Sequence, residues 1–164
     1  MARIQFLRTL RITERPNLIW VEIGTDDGLI GLGESFRGAE TVEAALHEQI
    51  APVLIGRDAR HIEGISRQLM TPYVGFHSSG AEVRAASAVD IALWDLAGQR
   101  AGVPTYVALG GGSRDAIAVY NTCAGYAYNT GGAKRRDIGV DDRASGPYDD
   151  QVAFMRDAGA LAVS

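Results

Sequence analysis

The residues that first invite a chemical reading are Asp90 and Asp95, because paired carboxylates on one helix face could hold a divalent cation. They stand five residues apart in a run that reads as helix, which points them well away from one face, and the surrounding Ala and Leu offer no third ligand. Asp90 is therefore expected to be a hydrogen-bonded structural acid and Asp95 a surface or interface one. His47, His61 and His77 lie in separate segments without ligand spacing and read as surface or cap residues. Cys123, the single cysteine, has no His at supporting spacing, so it reads as a packed small residue rather than a nucleophile. Lys134, the only lysine, forms a basic triplet with Arg135 and Arg136 that Asp137, Asp141 and Asp142 answer, the pattern of a solvated loop. Gly110, Gly111 and Gly112 are followed by neither G-K-[ST] nor a helix signal, which argues against a phosphate loop. No catalytic residue and no metal-ligand set can be named from these groups.

The elements that would position such residues are organised around the stretch 79–112. Ser79 and Glu82 form a capping-box pattern at a helix start. Over 85–97 only Ser87, Asp90 and Asp95 interrupt an apolar run, so the helix is expected to be internal and covered on several sides. Gly102 supplies a left-handed stop and Pro104 prevents resumption. Upstream, residues 4–10, 18–25 and 29–34 read as three strands, with Asp26-Asp27-Gly28 as a hairpin turn. Gly31 and Gly33 within the third strand imply close backbone approach or a bulge. A helix from Thr41 places Val42, Leu46, Ile50 and Val53 on one face, with Pro52 marking a break or kink. A second helix starts from Asp58 as N-cap, with Ile62, Ile65 and Leu69 inward. Strands followed by helices form an α+β layer arrangement. After Gly112 the pattern changes to a strand at 117–123, a long connection at 124–147 and a helix at 148–163, one βα unit. Alternation in that strand sets Val119, Asn121 and Cys123 on one side and Tyr120 and Thr122 on the other.

Composition narrows the function classes. At 46% hydrophobic and 22% charged, the 164 residues are ordinary for a globular chain. A net charge of −4 supplies no basic field for nucleic acid or an anionic membrane. One cysteine rules out an internal disulfide framework and fits a reducing compartment. The arginine-bearing first residues are not a signal peptide, and no run approaches the ~18 apolar residues of a membrane span. The expectation is a cytoplasmic protein.

The segment Ala88-Val89-Asp90-Ile91-Ala92-Leu93-Trp94-Asp95-Leu96-Ala97-Gly98, followed by Gly102-Val103-Pro104 and Leu109-Gly110-Gly111, resembles the enolase superfamily. The nearer likeness is to its mandelate racemase and muconate lactonizing branch, at the end of the amino-terminal capping domain. The resemblance implies that 1–112 form that capping domain, a three-stranded antiparallel meander followed by helices. It implies that 113–164 supply the first strand, loop and helix of an incomplete (β/α)8 barrel, since a barrel needs about 200 residues or more. The chain then reads as the amino-terminal part of a longer enzyme.

In the resembled family a proton next to a carboxylate is abstracted and the enolate is held against Mg²⁺. The metal-binding carboxylates and the basic residues sit on later barrel strands, which this chain lacks. Catalytic residues and a bound metal are therefore not expected in these 164 residues. Two capping-domain loops, here 12–17 and 35–40, form the substrate lid in the family. That makes Arg15, Asn17 and Arg37 candidates to bond the hydroxyls or carboxylate of a sugar acid, and Phe36 a candidate to exclude water; the alternative is that all four are solvated loop residues. Asn121 and Cys123 at the end of the barrel strand, and Tyr126 beyond it, are candidates for the barrel mouth. Two arginines tilt the expected substrate towards a polyhydroxy acid. The implied parent activity is acid-sugar dehydration by a homo-oligomer, with racemisation or cycloisomerisation open in the same family. A non-catalytic assembly module is the alternative from another class.

Overall fold

The computed structural model describes residues 1–13, 15–71 and 80–118. Two compact units divide the chain. Met1–Thr13 with Leu18–Gly112 form the first, and Glu14–Asn17 group with Ser113–Ser164 in the second. The strand, loop and helix expected at 117–123, 124–147 and 148–163 lie outside the described residues, apart from Ile117 and Ala118, which are exposed. Ser79 and His77 also lie outside them.

The first unit opens with the expected meander. Strands β1 (Ile4–Leu10), β2 (Leu18–Thr25) and β3 (Ile30–Phe36) pair antiparallel in the order β1-β2-β3. Alternation puts Ile19, Val21 and Ile23 on the inner face, each fully buried. The β2–β3 turn closes with Gly28 N–H donating to the Thr25 carbonyl at 3.0 Å, and Gly28 takes the φ of 84° that the turn demands. β3 runs two residues past its expected end, because Leu18 and Ile19 of β2 pair with Phe36 and Ser35.

Helix α1 (Ala39–Ala45) continues through a π-helical turn, Leu46–Ile50, into α2 (Ala51–Leu54). The irregularity expected at Pro52 is this π turn, placed just ahead of the proline, which itself occupies the first turn of α2. Widening the helix there advances the buried register from Val53 to Leu54. Val53 is 43% exposed and Leu54 fully buried, a correction to the expected face. Helix α3 (Ile62–Met70) buries Ile65 and packs Ile62 and Leu69 against the core. Its N-cap is His61, not Asp58. Asp58 instead accepts the backbone N–H and the guanidinium of Arg60 and pairs with Arg3 in an isolated β-bridge, so its carboxylate is already engaged one turn too early.

Helix α4 (Ala81–Ala101) is the centre of the unit, packed on β3 and β2 and flanked by α1, α3 and α5 (Thr105–Ala108). It begins at Gly80, which has no side chain to cap with, so the expected capping box does not form among the described residues. Its end is as expected: Gly102 adopts φ 66°, Gly102 N–H donates to Gln99 O and Val103 N–H to Gly98 O, a Schellman motif. Pro104 then starts α5, a short helix that the sequence pattern did not announce. The same double bond pattern closes α5, from Gly110 N–H to Val107 O and from Gly111 N–H to Tyr106 O. The triple glycine thus serves as a helix stop. No helix among the described residues is long and apolar enough to cross a membrane.

Gly31 and Gly33 explain how α4 reaches the sheet. A Cβ on Gly31 would collide with the Ala92 carbonyl oxygen, and one on Gly33 with that of Ala88. With no side chains there, helix backbone lies directly on strand backbone. The proximity lets Asp95 accept the Leu32 N–H at 2.9 Å while Gln99, one turn on, donates to the Ile30 carbonyl at 2.8 Å. Asp95 is therefore the hydrogen-bonded structural acid and seals the β3 edge. Asp90, expected in that role, is half-buried, and its carboxylate makes no hydrogen bond or ion pair among the described residues. Asp95 thus takes the structural role expected of Asp90.

Candidate functional site

The register sets the site's frame. Because Leu10 lies opposite Trp20, and Leu18 opposite Phe36, the end of β1, the start of β2 and the end of β3 all lie at one end of the sheet. The β1–β2 connection and the β3–α1 connection leave from that end.

The second connection is shorter than the expected lid loop over 35–40. Ser35 and Phe36 belong to β3, and α1 begins at Ala39, so only Arg37 and Gly38 form the turn. Both take left-handed backbone, Arg37 at φ 73° and Gly38 at φ 72°. The conformation suits Gly38. For Arg37 it stores about 1–2 kcal/mol, because the Cβ crowds the following carbonyl. Its side chain is exposed, and Phe36 beside it is 37% exposed. The structure thus sets an aromatic face and a guanidinium side by side in the chain on a rigid strand end, one able to exclude water and the other to bind a carboxylate in a fork.

Arg15 and Asn17, the candidates from 12–17, fall in the second unit, Arg15 exposed and Asn17 half-buried. Asn121, Cys123 and Tyr126 lie outside the described residues.

A polar network that sequence reasoning missed ties β1 to α1 at this end. Thr9 Oγ1 donates to Glu43 Oε1 at 2.8 Å and lies 3.0 Å from His47 Nε2. Arg11 spans two acids, with Nη1 on Glu43 at 2.9 Å and Nη2 on Glu40 at 3.1 Å. The hydrogen bond from Arg11, followed by that from Thr9, holds the Glu43 carboxyl below its ordinary range; the same acids raise the arginine. The signal was partly present: Thr9 and Arg11 stand two residues apart at the end of β1, and Glu40 and Glu43 share a helix face. Their opposition becomes visible only once strand and helix are docked. The network commits both acids to Arg11, so neither is poised as a base.

At the other end of the sheet Arg100 donates to both carboxylate oxygens of Asp27, at 3.0 and 3.1 Å, and fastens the β2–β3 turn to the end of α4. That bond, then one from Thr25, lowers the Asp27 pKa to about 2. Among the described residues no three His, Cys, Asp or Glu side chains gather where they could hold a metal ion. The arrangement can recognise an anion and exclude water.

Comparison with known proteins bears on the family of the chain. Residues 7–110 match the N-terminal domain of the mandelate racemase / muconate lactonizing enzyme family. A D-mannonate dehydratase of Novosphingobium aromaticivorans is 42% identical over 113 residues, which are 66% of this chain and 27% of that enzyme. A crystal structure of an enolase protein from the environmental genome shotgun sequencing of the Sargasso Sea is 70% identical with a TM-score of 0.71, covering 76% of this chain and 34% of that one. An enolase from Pantoea ananatis, solved with bound D-gluconate and Mg, is 37% identical with a TM-score of 0.64 over 72% of this chain and 29% of that one. The chain therefore spans about a third or less of the proteins it matches.

Proposed function

The chain belongs to the mandelate racemase and muconate lactonizing enzyme family of the enolase superfamily, and we propose that it is the capping domain, with the start of the barrel, of an acid-sugar dehydratase. The boundary is drawn at Gly112, with 113–164 opening the barrel. The observation that carries the reading is the match of 7–110 to the family's N-terminal domain together with 42% identity to a D-mannonate dehydratase. The reaction removes the proton next to the substrate carboxylate and expels the β-hydroxyl as water.

In that enzyme the chain's residues bind and orient. Arg37 pairs with the substrate carboxylate or hydroxyls, Phe36 shields the reacting carbon from water, and Arg15 and Asn17 supply further polar contacts. Asn121, Cys123 and Tyr126 line the mouth of the barrel. Mg²⁺, present in the Pantoea ananatis structure, is the metal of the proposed enzyme. The described residues do not fit it, because Glu40 and Glu43 are committed to Arg11 and Asp27 to Arg100. The proposal includes a cytoplasmic homo-oligomer acting on a small-molecule carboxylate, with no nucleic-acid or membrane partner.

The short coverage of the relatives keeps a second reading in view, a capping module that acts without a barrel. The nucleotide sequence after Ser164 separates the two: a frame encoding a Lys-x-Lys strand and spaced acidic strand ends supports the enzyme, and a stop codon supports the module. The site itself is tested at Arg37. Replacing it by Gly relieves the left-handed strain and raises stability by about 1 kcal/mol. In the complete enzyme the same change removes a charged hydrogen bond and lowers kcat/KM by the equivalent of about 1.5–3 kcal/mol. A glycine variant that is more stable and kinetically unchanged would return Arg37 to the solvated surface.

A further inference from the structure

Arg37, in the two-residue turn between β3 and α1, is the only non-glycine residue with positive φ among the described residues. Its guanidinium has no hydrogen-bond or ion-pair partner among them either, so its own side chain does not anchor it. A non-glycine residue stays in left-handed backbone only where the structure on both sides over-determines it. The place of Arg37 is therefore set by the two elements that flank it.

On the β3 side the hold is the ladder. Phe36 pairs with Leu18 and Ser35 with Ile19, so the strand is fixed up to the turn itself. The α1 side has no such hold of its own. α1 starts from Gly38, which has no side chain to cap it, and Thr41 Oγ1 donates to the Gly38 carbonyl at 2.9 Å, a bond that joins helix to turn but neither to the sheet. The residues that α1 buries are Ala39, Val42 and Ala45, two of them bare methyls. Packing of that kind sets how close the helix lies, but it is not directional and leaves room to slide or roll.

Directional bonds to the end of the sheet come from Glu40 and Glu43. Arg11, the first residue after β1, takes Glu43 Oε2 through Nη1 and Glu40 Oε1 through Nη2. Thr9 Oγ1 takes the other oxygen of Glu43. Because the Thr9 proton goes to Glu43, the 3.0 Å contact from Thr9 to His47 requires that Nε2 carry a proton and donate it, which extends the grip into the π turn. All of these residues, and Arg37, belong to the first unit.

We propose that Arg11 is a positioning residue for Arg37: by gripping Glu40 and Glu43 it fixes the first turns of α1, and through them the turn that presents Arg37 beside Phe36. The inference deepens the proposed function and rests on it for what the turn is held to do; that Arg11 holds the turn is independent of it. The two acids play unequal parts. Glu43, a third exposed and bonded through both oxygens, is the anchor. Glu40, 84% exposed, adds less, since a solvent-facing pair is weak. Arg11 and then Thr9 hold the Glu43 carboxyl below its ordinary range, so the grip is charged at neutral pH.

The proton–nitrogen correlation spectrum of the 164-residue chain tests the grip, with urea unfolding as the folding control. Arg11→Gln is expected to shift or broaden the Arg37 and Gly38 amide resonances. Arg11→Lys restores them in part, because one ammonium cannot fork across two acids. Arg67→Gln, which breaks the Arg67–Glu63 pair on α3, leaves them in place. Glu40→Gln removes only the exposed bond and carries the test should Arg11→Gln unfold, with a smaller shift of the same resonances. The complete enzyme, on whichever of D-mannonate, D-gluconate and D-galactonate it dehydrates, reads the consequence. Arg11→Gln lowers kcat/KM roughly tenfold, the scale of a small misplacement of a binding group. In an Arg37→Gly background it has no further effect, because the two act through one contact. A full second loss in that background overturns the inference, as do Arg37 and Gly38 resonances indifferent to both Arg11→Gln and Glu40→Gln. Resonances that move while Arg37→Gly itself leaves kcat/KM unchanged overturn the substrate role of Arg37, and with it the use of the grip but not its existence.

Discussion

Three glycine-to-alanine changes, chemically identical, are expected to move stability in opposite directions because of where each Cβ would go. At Gly33 the new methyl would strike the Ala88 carbonyl oxygen, and would stand 2.9 Å from the Ala88 carbonyl carbon and 3.2 Å from Ala92 N. All three are helix backbone atoms, which cannot swing aside as a side-chain tip can. Helix α4 must back away from β3 as a body. Overpacking of this kind costs about 1–3 kcal/mol, offset by about 0.5–1 kcal/mol from the smaller unfolded-state entropy of Ala. The retreat also strains the Asp95 bond to the Leu32 N–H, which as a charged hydrogen bond contributes about 1.5–3 kcal/mol. The net expectation for Gly33→Ala is a loss of about 2–4 kcal/mol, a large share of the 5–15 kcal/mol typical of a domain. Gly64, exposed on α3, has nothing within 4 Å of its prospective Cβ, so Gly64→Ala gains about 1 kcal/mol of helix propensity. Gly28 is equally open but holds φ 84°, and Gly28→Ala loses about 1 kcal/mol to backbone strain alone. Urea unfolding followed at 222 nm reads all three. With a slope of about 1–1.5 kcal/mol per molar, Gly33→Ala moves the midpoint down by roughly 2 M and Gly64→Ala moves it up by less than about 1 M. A Gly33→Ala variant as stable as the parent would refute the direct seating of α4 on β3.

Two further changes address single bonds. Asp27 has its pKa lowered to about 2 in the fold, chiefly by Arg100 and then by Thr25, against about 3.9 unfolded. A depressed acid contributes stability that is present above the unfolded value and lost as pH falls towards the folded one. The urea midpoint of the parent should therefore fall between about pH 4 and pH 2, and Asp27→Asn, less stable at neutral pH, should show a shallower fall; identical pH profiles would contradict the pairing. Asp95→Ala leaves the Leu32 N–H without its acceptor and should lower stability by about 1.5–3 kcal/mol in the same assay, with Asp95→Asn retaining part of it because an amide oxygen still accepts; an alanine variant equal to the parent would return Asp95 to the surface role expected from sequence.

What could be read from sequence, and what could not, follows from the range of each signal. Alternation in β2 and the left-handed stop at Gly102 are local, and they hold. Gly31 and Gly33 were legible because a glycine inside a strand has little reason to be there except close approach. The buried face of α1 was legible as far as Ile50. The π turn that shifts the register to Leu54 adds one residue of winding without a distinctive residue type. Asp58 looked like a cap because its type is right, but Arg60 competes for it two residues away. That Asp95 and not Asp90 is the hydrogen-bonded structural acid depended on which side of α4 met the β3 edge, a fact of docking that helix periodicity leaves open. The same holds for the candidate site. Phe36 and Arg37 were expected together in a lid loop over 35–40, and pairing of β3 with β2 draws Phe36 into the strand and leaves Arg37 in the turn after it. The Arg37 backbone conformation and the Thr9–Glu43–Arg11 network appear only when β1, β3 and α1 share one frame.

The central claim is that these residues cap a metal-dependent acid-sugar dehydratase. Its most direct test is to express this chain together with whatever its reading frame encodes beyond Ser164, and to incubate the product with D-mannonate, D-gluconate and D-galactonate plus Mg²⁺. The expected result is the loss of one water from at least one of them, seen by mass spectrometry, abolished by a chelator and restored by added Mg²⁺. A folded full-length protein that dehydrates none of them, or one that does so undiminished in the chelator, would contradict the claim.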